Sequence, residues 1–170
     1  MKASFRLEAL NDEQHDRQVF ACGQEPLDRY IRTQATQDIR RRISACFVAV
    51  QQATNQLAAY YTLAAASIPA PDLPVEVTKK LPRYLTLPAV RIGRLAVDLK
   101  FQGRGLGGAM LADALSRVLV SPPAVFALLV DAKDEQAVAF YGHHGFVGLS
   151  SNPRILFLPV ATAEKLFLVK

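Results

Sequence analysis

Tryptophan is absent from this chain, and cysteine and methionine occur only twice each. Cys22 and Cys46 form no CxxC pair and no spacing that frames a disulfide network or a zinc site, so both read as reduced thiols and no metal is expected. No run of residues approaches the roughly 20 apolar positions needed to span a bilayer. The opening Met-Lys-Ala-Ser-Phe-Arg has no apolar stretch of signal-peptide length, so a cytoplasmic protein with no membrane partner is expected. Repeats, low-complexity runs and linkers are missing too, and the 170 residues read as one domain, 1–170.

What is present is a globular composition, with 51% hydrophobic and 21% charged residues. That is enough to fill a core and excludes an intrinsically disordered chain. Twenty Lys and Arg against fifteen Asp and Glu give a net charge of +5. Such a balance attracts anions such as coenzyme A or nucleic acid, although it equally suits a merely basic soluble protein.

Periodicity orders the chain. Residues 4–8 alternate as a first strand, and Pro26 opens a helix with Leu27, Tyr30, Ile31, Ala35 and Ile39 on one face. Residues 46–50 and 57–63 read as a hairpin across a polar turn, and Pro69, Pro71 and Pro74 break the chain into a loop. After a short segment at 75–81 and a turn at Pro88, residues 89–97 are apolar enough for a buried central strand. A helix marked by Leu106, Met110, Leu111, Ala114, Leu115 and Val118 is stopped by Pro122 and Pro123. A strand at 125–130, a helix at 134–143 ended by Gly145, and closing strands at 146–148 and 154–158 complete an α/β or α+β sandwich, a mixed sheet with helices on both faces.

Between the central strand and its helix lies Gln102-Gly103-Arg104-Gly105-Leu106-Gly107-Gly108. Bare backbone at the start of a helix suits an anion, and Arg104 adds a charge-assisted contact to a phosphate oxygen. The turn lacks the Gly-Lys-Ser/Thr of a nucleotide-hydrolysing P-loop, and it comes too late in the chain for a dinucleotide fingerprint in a first strand-helix unit. A tight turn that only packs a helix closely remains the plain structural alternative.

With Gln102, Gly105 and Gly107 matching Gln/Arg-x-x-Gly-x-Gly/Ala, the chain resembles the GNAT superfamily of N-acetyltransferases. Arg94-Leu95-Ala96-Val97, Val130-Asp131-Ala132, and Ala139-Phe140-Tyr141 with Gly145-Phe146 agree in order and spacing. The resemblance implies a central sheet whose two parallel strands splay, with the pantetheine arm of acetyl-CoA on the backbone of Leu95, Ala96 and Val97. It also implies pyrophosphate binding at Gln102, Gly103, Arg104, Gly105, Gly107 and Gly108, with Phe140 beside the cofactor. Acyl transfer needs a neutral amine, a polarised carbonyl and a proton for the leaving thiolate. By its match to the family position Tyr141 donates that proton, with backbone N–H near Val97 supporting the oxyanion; by itself Tyr141 also reads as an amphipathic core residue. No carboxylate is marked as a base. Cys22, preceding Gly23, offers a covalent route if exposed, and the adjacent His143 and His144 point about 100° apart on a helix, as surface histidines do.

Arg29, Arg32, Arg40, Arg41 and Arg42 place five cations within fourteen residues, and Lys79, Lys80, Arg83, Arg91 and Arg94 add a second series. Such clusters bind nucleic acid without regard to sequence, or simply solvate a face. Phe20-x-Cys22-Gly23, Leu27-Asp28-x-Tyr30, Tyr60-Tyr61-Thr62-Leu63, Leu81-Pro82-Arg83-Tyr84, the stretch from Gly93 to Asp98, and Pro153-Arg154-Ile155-Leu156-Phe157-Leu158 extend the resemblance to the toxin acetyltransferases of bacterial type II toxin–antitoxin modules. That implies acetylation of the α-amino group of aminoacyl-tRNA, a homodimer, and a ribbon-helix-helix antitoxin. Ala59 and the glycine-free stretch Pro122 to Phe126 depart from the pattern at structural positions. An acetyltransferase for a small amine, peptide or protein lysine, and a non-catalytic acyl-CoA-binding module, are the competing readings.

Overall fold

In the computed structural model, which describes residues 4–167, β1 (Phe5–Ala9) pairs antiparallel with β2 (Ala45–Gln51), and β2 with β3 (Gln56–Pro69). The hairpin turn is tight enough to put Asn55 at φ 58, a left-handed conformation that Asn tolerates. The ladder skips at Ala58: Ala49 faces Ala59 and Val50 faces Leu57. This is a β-bulge, and such irregularities re-aim backbone groups beside functional sites.

Two compact units are resolved, residues 4–64 with Gly93–Ala114, and Ala65–Ile92 with residues 115–167; β3 and β4 (Thr86–Val97) run through both. The first unit has strand order β1-β2-β3-β4 and carries α1 (Glu25–Thr33) and α2 (Ala35–Arg40). Its core gathers Phe20, Tyr30, Ile31, Ala35, Val48, Val50, Leu57 and Tyr60. The single helix expected from Pro26 onward is thus two. Thr33 turns its hydroxyl back onto the Arg29 carbonyl at 2.8 Å, a local bond that competes with helix continuation, and Gln34 separates the pieces.

The second unit has order β3-β4-β5-β7-β6, where β5 is Ala127–Asp131, β6 Val147–Gly148 and β7 Ile155–Pro159. β4 and β5 are parallel from Ala89 opposite Ala127 to Ile92 opposite Val130, and β7 is antiparallel to both β5 and β6. Its helices are α3 (Val75–Thr78), α5 (Glu135–His143) and α6 (Val160–Phe167), with α4 (Leu106–Leu119) beginning in the first unit. Ile68, Leu73, Leu87, Leu129, Leu149 and Phe157 form its core.

Three expectations change. Pro88 makes no turn: it lies exposed inside β4, where its carbonyl accepts the Phe126 N–H at 2.9 Å and the missing N–H breaks no bond. β3 continues to Pro69 through an alanine-rich stretch of low strand propensity, because pairing in the sheet overrides propensity. α6, which the periodicity did not reveal, follows directly from β7. No helix among the described residues is long and apolar enough to cross a membrane.

Candidate active site

The glycine turn is fixed at its root before it offers anything to a ligand. The bulge leaves the Ala58 carbonyl off the ladder, and that oxygen takes the Asp98 N–H at 2.8 Å, pinning the residue that follows β4. Asp98 is buried, and its carboxylate accepts N–H bonds from Ala21 at 3.1 Å and Lys100 at 2.9 Å, while the Leu99 N–H reaches the Ala21 carbonyl at 2.9 Å. A carboxylate closing a short turn on backbone donors is a strong local constraint. Gln102 completes the clamp by donating from Nε2 to the carbonyls of Val97 (2.9 Å) and Cys22 (3.1 Å). Gln102 therefore positions the turn through its side chain.

Gly103 and Gly105 both have φ 78, the left-handed region that costs other residues about 1–2 kcal/mol. No atom lies within 4 Å of where a Cβ would stand on either, so the space over the turn is open. Arg104 is exposed between them, its guanidinium centre 5.5 Å from the Phe101 ring centroid. The Ala109 N–H bonds the Gly105 carbonyl, which makes Gly105 the helix cap. A capping glycine has no side-chain oxygen, so the N–H groups of Leu106, Gly107 and Gly108 are left to an outside acceptor at the positive end of the 14-residue helix α4. Behind the turn, Met110, Leu111 and Ala114 are buried, and the Tyr61 hydroxyl donates to Asp113 at 2.6 Å, locking β3 to α4.

The first unit thus brings together Leu95, Ala96 and Val97 at the end of β4 with residues 102–108. Ala96 is buried, while Leu95 and Val97 are half-buried on the other face of the strand. Neither Asp98 nor the bulge at Ala58 was assigned a role from sequence; an aspartate two residues before a backbone donor was the available signal.

Phe140 and Tyr141 are neighbours in the second unit, on α5. Asp134 caps this helix by accepting the Ala137 N–H at 2.8 Å. The Tyr141 ring meets Phe140 and Phe146 edge-on, centroids 5.1 and 5.4 Å away, and the Phe146 N–H bonds the Tyr141 carbonyl. Gly145, at φ 95, makes that return possible. Burial pushes the Tyr141 hydroxyl up to about 12, so the phenol is fully protonated at neutral pH. His144 shifts the opposite way, held below 6.5 by burial and then by neighbouring His143.

Two expectations fall here. Cys22 is buried, with its N–H on Asp28 at 2.8 Å, so it is no exposed nucleophile. Arg32 bonds the Phe20 carbonyl and Arg94 lies over the Tyr30 ring, 3.6 Å from its centroid, while Arg91 pairs with Asp131 at 2.9 Å. These arginines serve the fold. Arg29, Arg40, Arg41 and Arg42 remain exposed in the first unit.

A sequence model of the acetyltransferase (GNAT) domain matches residues 80–155. The tRNA-acetylating toxin of Mycobacterium tuberculosis is 34% identical over 149 residues, covering 86% of this chain and 87% of the toxin. AtaT complexed with acetyl-methionyl-tRNAfMet superposes with a TM-score of 0.85 at 31% identity, covering 96% of this chain and 99% of that one. A mutant AtaT bound to the C-terminus of the antitoxin AtaR and acetyl-CoA gives 0.78 at 28% identity, with 97% and 99% covered. The chain belongs to the GNAT acetyltransferases, enzymes that move an acetyl group from acetyl-CoA to an amine. Within them it falls among the toxin acetyltransferases.

Proposed function

We propose that the chain acetylates the α-amino group of an aminoacyl-tRNA, as the translation-blocking toxin of a toxin–antitoxin pair. The observation that carries its chemistry is the glycine-capped start of α4, whose N–H groups at 106–108 await an anion of pyrophosphate type. Arg104 and the amides of Gly103, Gly105, Gly107 and Gly108 take the phosphates, the backbone of Leu95, Ala96 and Val97 takes the pantetheine arm, and Phe140 packs beside it. The substrate assignment is supported by the relatives' tRNA chemistry and by the exposed Arg40, Arg41 and Arg42, which pair with no carboxylate among the described residues.

In the reaction the neutral amine attacks the thioester carbon, the carbonyl oxygen gains charge near the Val97 N–H, and the C–S bond breaks to leave an amide and a thiol. Tyr141, by its match to the family position, is the residue assigned to the leaving sulfur in this reading. A phenol held near 12 gives its proton to a thiolate whose ordinary value is about 8.5 only uphill. It therefore donates a hydrogen bond as the C–S bond lengthens and passes its proton on only as it receives one from the nitrogen. The active protein is one domain over 1–170, a cytoplasmic homodimer, silenced by a ribbon-helix-helix antitoxin.

Transfer of radiolabelled acetyl from acetyl-CoA to total aminoacyl-tRNA, against deacylated tRNA and a panel of small amines and peptides, tests this. Label confined to charged tRNA is expected. Label on small amines or peptides alone would discard the toxin, and no label would leave an acyl-CoA-binding module.

A further inference from the structure

We propose that residues 79–85 form a docking surface for an unpaired RNA end, with Tyr84 stacking on a base and Lys79, Lys80 and Arg83 meeting phosphates. The inference deepens the proposed function and rests on its RNA acceptor.

Charge is the first observation. In the second unit Arg91 pairs with Asp131 and Arg154 with Glu135, whereas Lys79, Lys80 and Arg83 are exposed and pair with no carboxylate among the described residues. Residues 79–85 hold no acid, and α3 just before them offers one exposed acid, Glu76, against these three cations. Exposure is the second. Tyr84 and Leu85 are 57% and 89% exposed, and Val75 is 71% exposed nearby, a concentration of large apolar side chains in water.

The segment is also held rigidly. Val77 and Leu81, one helical turn apart, pack into the core of the second unit. Turn bonds from Lys79 N–H to Val75, Lys80 N–H to Val77, Leu81 N–H to Thr78 and Tyr84 N–H to Pro82 close the backbone, and the Ala70 N–H fastens Leu85. With the inward positions anchored, Lys79, Lys80, Arg83 and Tyr84 are presented on a fixed scaffold. A backbone already closed in this way loses less freedom on binding.

The chemistry distinguishes the occupant. Protein interfaces are depleted of charge at their centre, whereas here three exposed cations lead up to the aromatic, Arg83 directly beside it. An aromatic face among unneutralised cations is the pattern that holds single-stranded nucleic acid, since every base has a π-face and every linkage a charge. The Arg40, Arg41 and Arg42 run has no aromatic within it and suits phosphates alone. An acidic peptide is the rival occupant.

The test uses the full chain, fluorescence anisotropy and a short unstructured RNA oligonucleotide, with steady-state acetylation measured beside it. Tyr84→Ala is expected to weaken RNA binding about tenfold with the salt slope unchanged. Replacing Lys79, Lys80 and Arg83 by Gln is expected to flatten that slope by about 0.7 for each phosphate no longer neutralised. KM for the RNA acceptor is expected to rise in both variants while KM for acetyl-CoA and the unfolding temperature stay as in the parent. RNA affinity and acceptor KM equal to the parent's in both variants would overturn the proposal. So would unchanged RNA binding together with abolished binding of a Glu-Leu copolymer, which would assign the face to an acidic protein segment. A parent enzyme that binds the oligonucleotide through Tyr84 yet labels no aminoacyl-tRNA would overturn the acceptor reading and leave this surface standing.

Discussion

Tyr141 has its protonation state set by the rings around it. Packed between Phe140 and Phe146, it is buried and holds its proton to about 12, above the ordinary tyrosine value of 10.0. Two results follow for catalysis. Tyr141→Phe removes one hydroxyl from an apolar setting, so turnover is expected to fall by roughly 10²–10⁴ while acetyl-CoA affinity, read by calorimetry, is kept. Equal turnover in the variant would remove Tyr141 from the mechanism. The pH–rate profile is expected to rise as the α-amino group deprotonates near its ordinary value of about 8 and then to stay level to pH 10. A falling limb below pH 9 would require an acid other than this tyrosine.

At the element scale the site depends on how β4 hands over to α4. The bulge at Ala58, the buried Asp98 and the Gln102 amide fix the turn, and the glycine cap leaves the helix N-terminus open to an anion. Gly107→Glu places a carboxylate in the first turn of α4, where the dipole itself tolerates a negative charge. The fold is therefore expected to survive, with unchanged circular dichroism, while acetyl-CoA binding is abolished because the carboxylate occupies and repels the phosphate position. Full acetyl-CoA affinity in this variant would end the cradle assignment. Most of this element was legible: the glycines, the helix and its stopping prolines were all readable from spacing. The clamp was not, since Ala58 and Ala21 reach Asp98 from distant parts of the sequence.

For the whole molecule, charge and burial give two further expectations. Arg40, Arg41 and Arg42 stand exposed at the end of α2, and replacing all three by Gln is expected to weaken tRNA binding and reduce its log–log salt slope by up to about 0.9 for each duplex phosphate no longer neutralised. An unchanged slope in filter-binding titrations would make the cluster a solvated face. Stability is expected to fall in alkali. Burial raises Cys46 from 9.0 to about 12, and raises Tyr30 and Tyr141 from 10.0 to about 12, burial being the largest cause for each. A folded-state value above the unfolded one means the contribution is complete below pH 9 and lost as pH climbs toward 12. Urea midpoints measured from pH 8 to 11 should therefore decline from about pH 9 upward, and a flat series would contradict the burial of these groups.

By itself the sequence determined most of the strands and helices, though neither the break between α1 and α2 nor α6, together with the glycine turn between β4 and α4 and the family, because each is written in neighbouring residues: periodicity, φ requirements and short motifs. Only the tertiary structure decided which of the ten cations named from sequence are engaged by other described residues. Arg32, Arg91 and Arg94 look like their neighbours in the sequence, yet the fold sets them on the Phe20 carbonyl, on Asp131 and on the Tyr30 ring. Tertiary structure likewise buried Cys22 and aimed the Ala58 carbonyl at the Asp98 N–H. Partners that lie tens of residues apart meet only when strands pair, and no local pattern encodes the meeting.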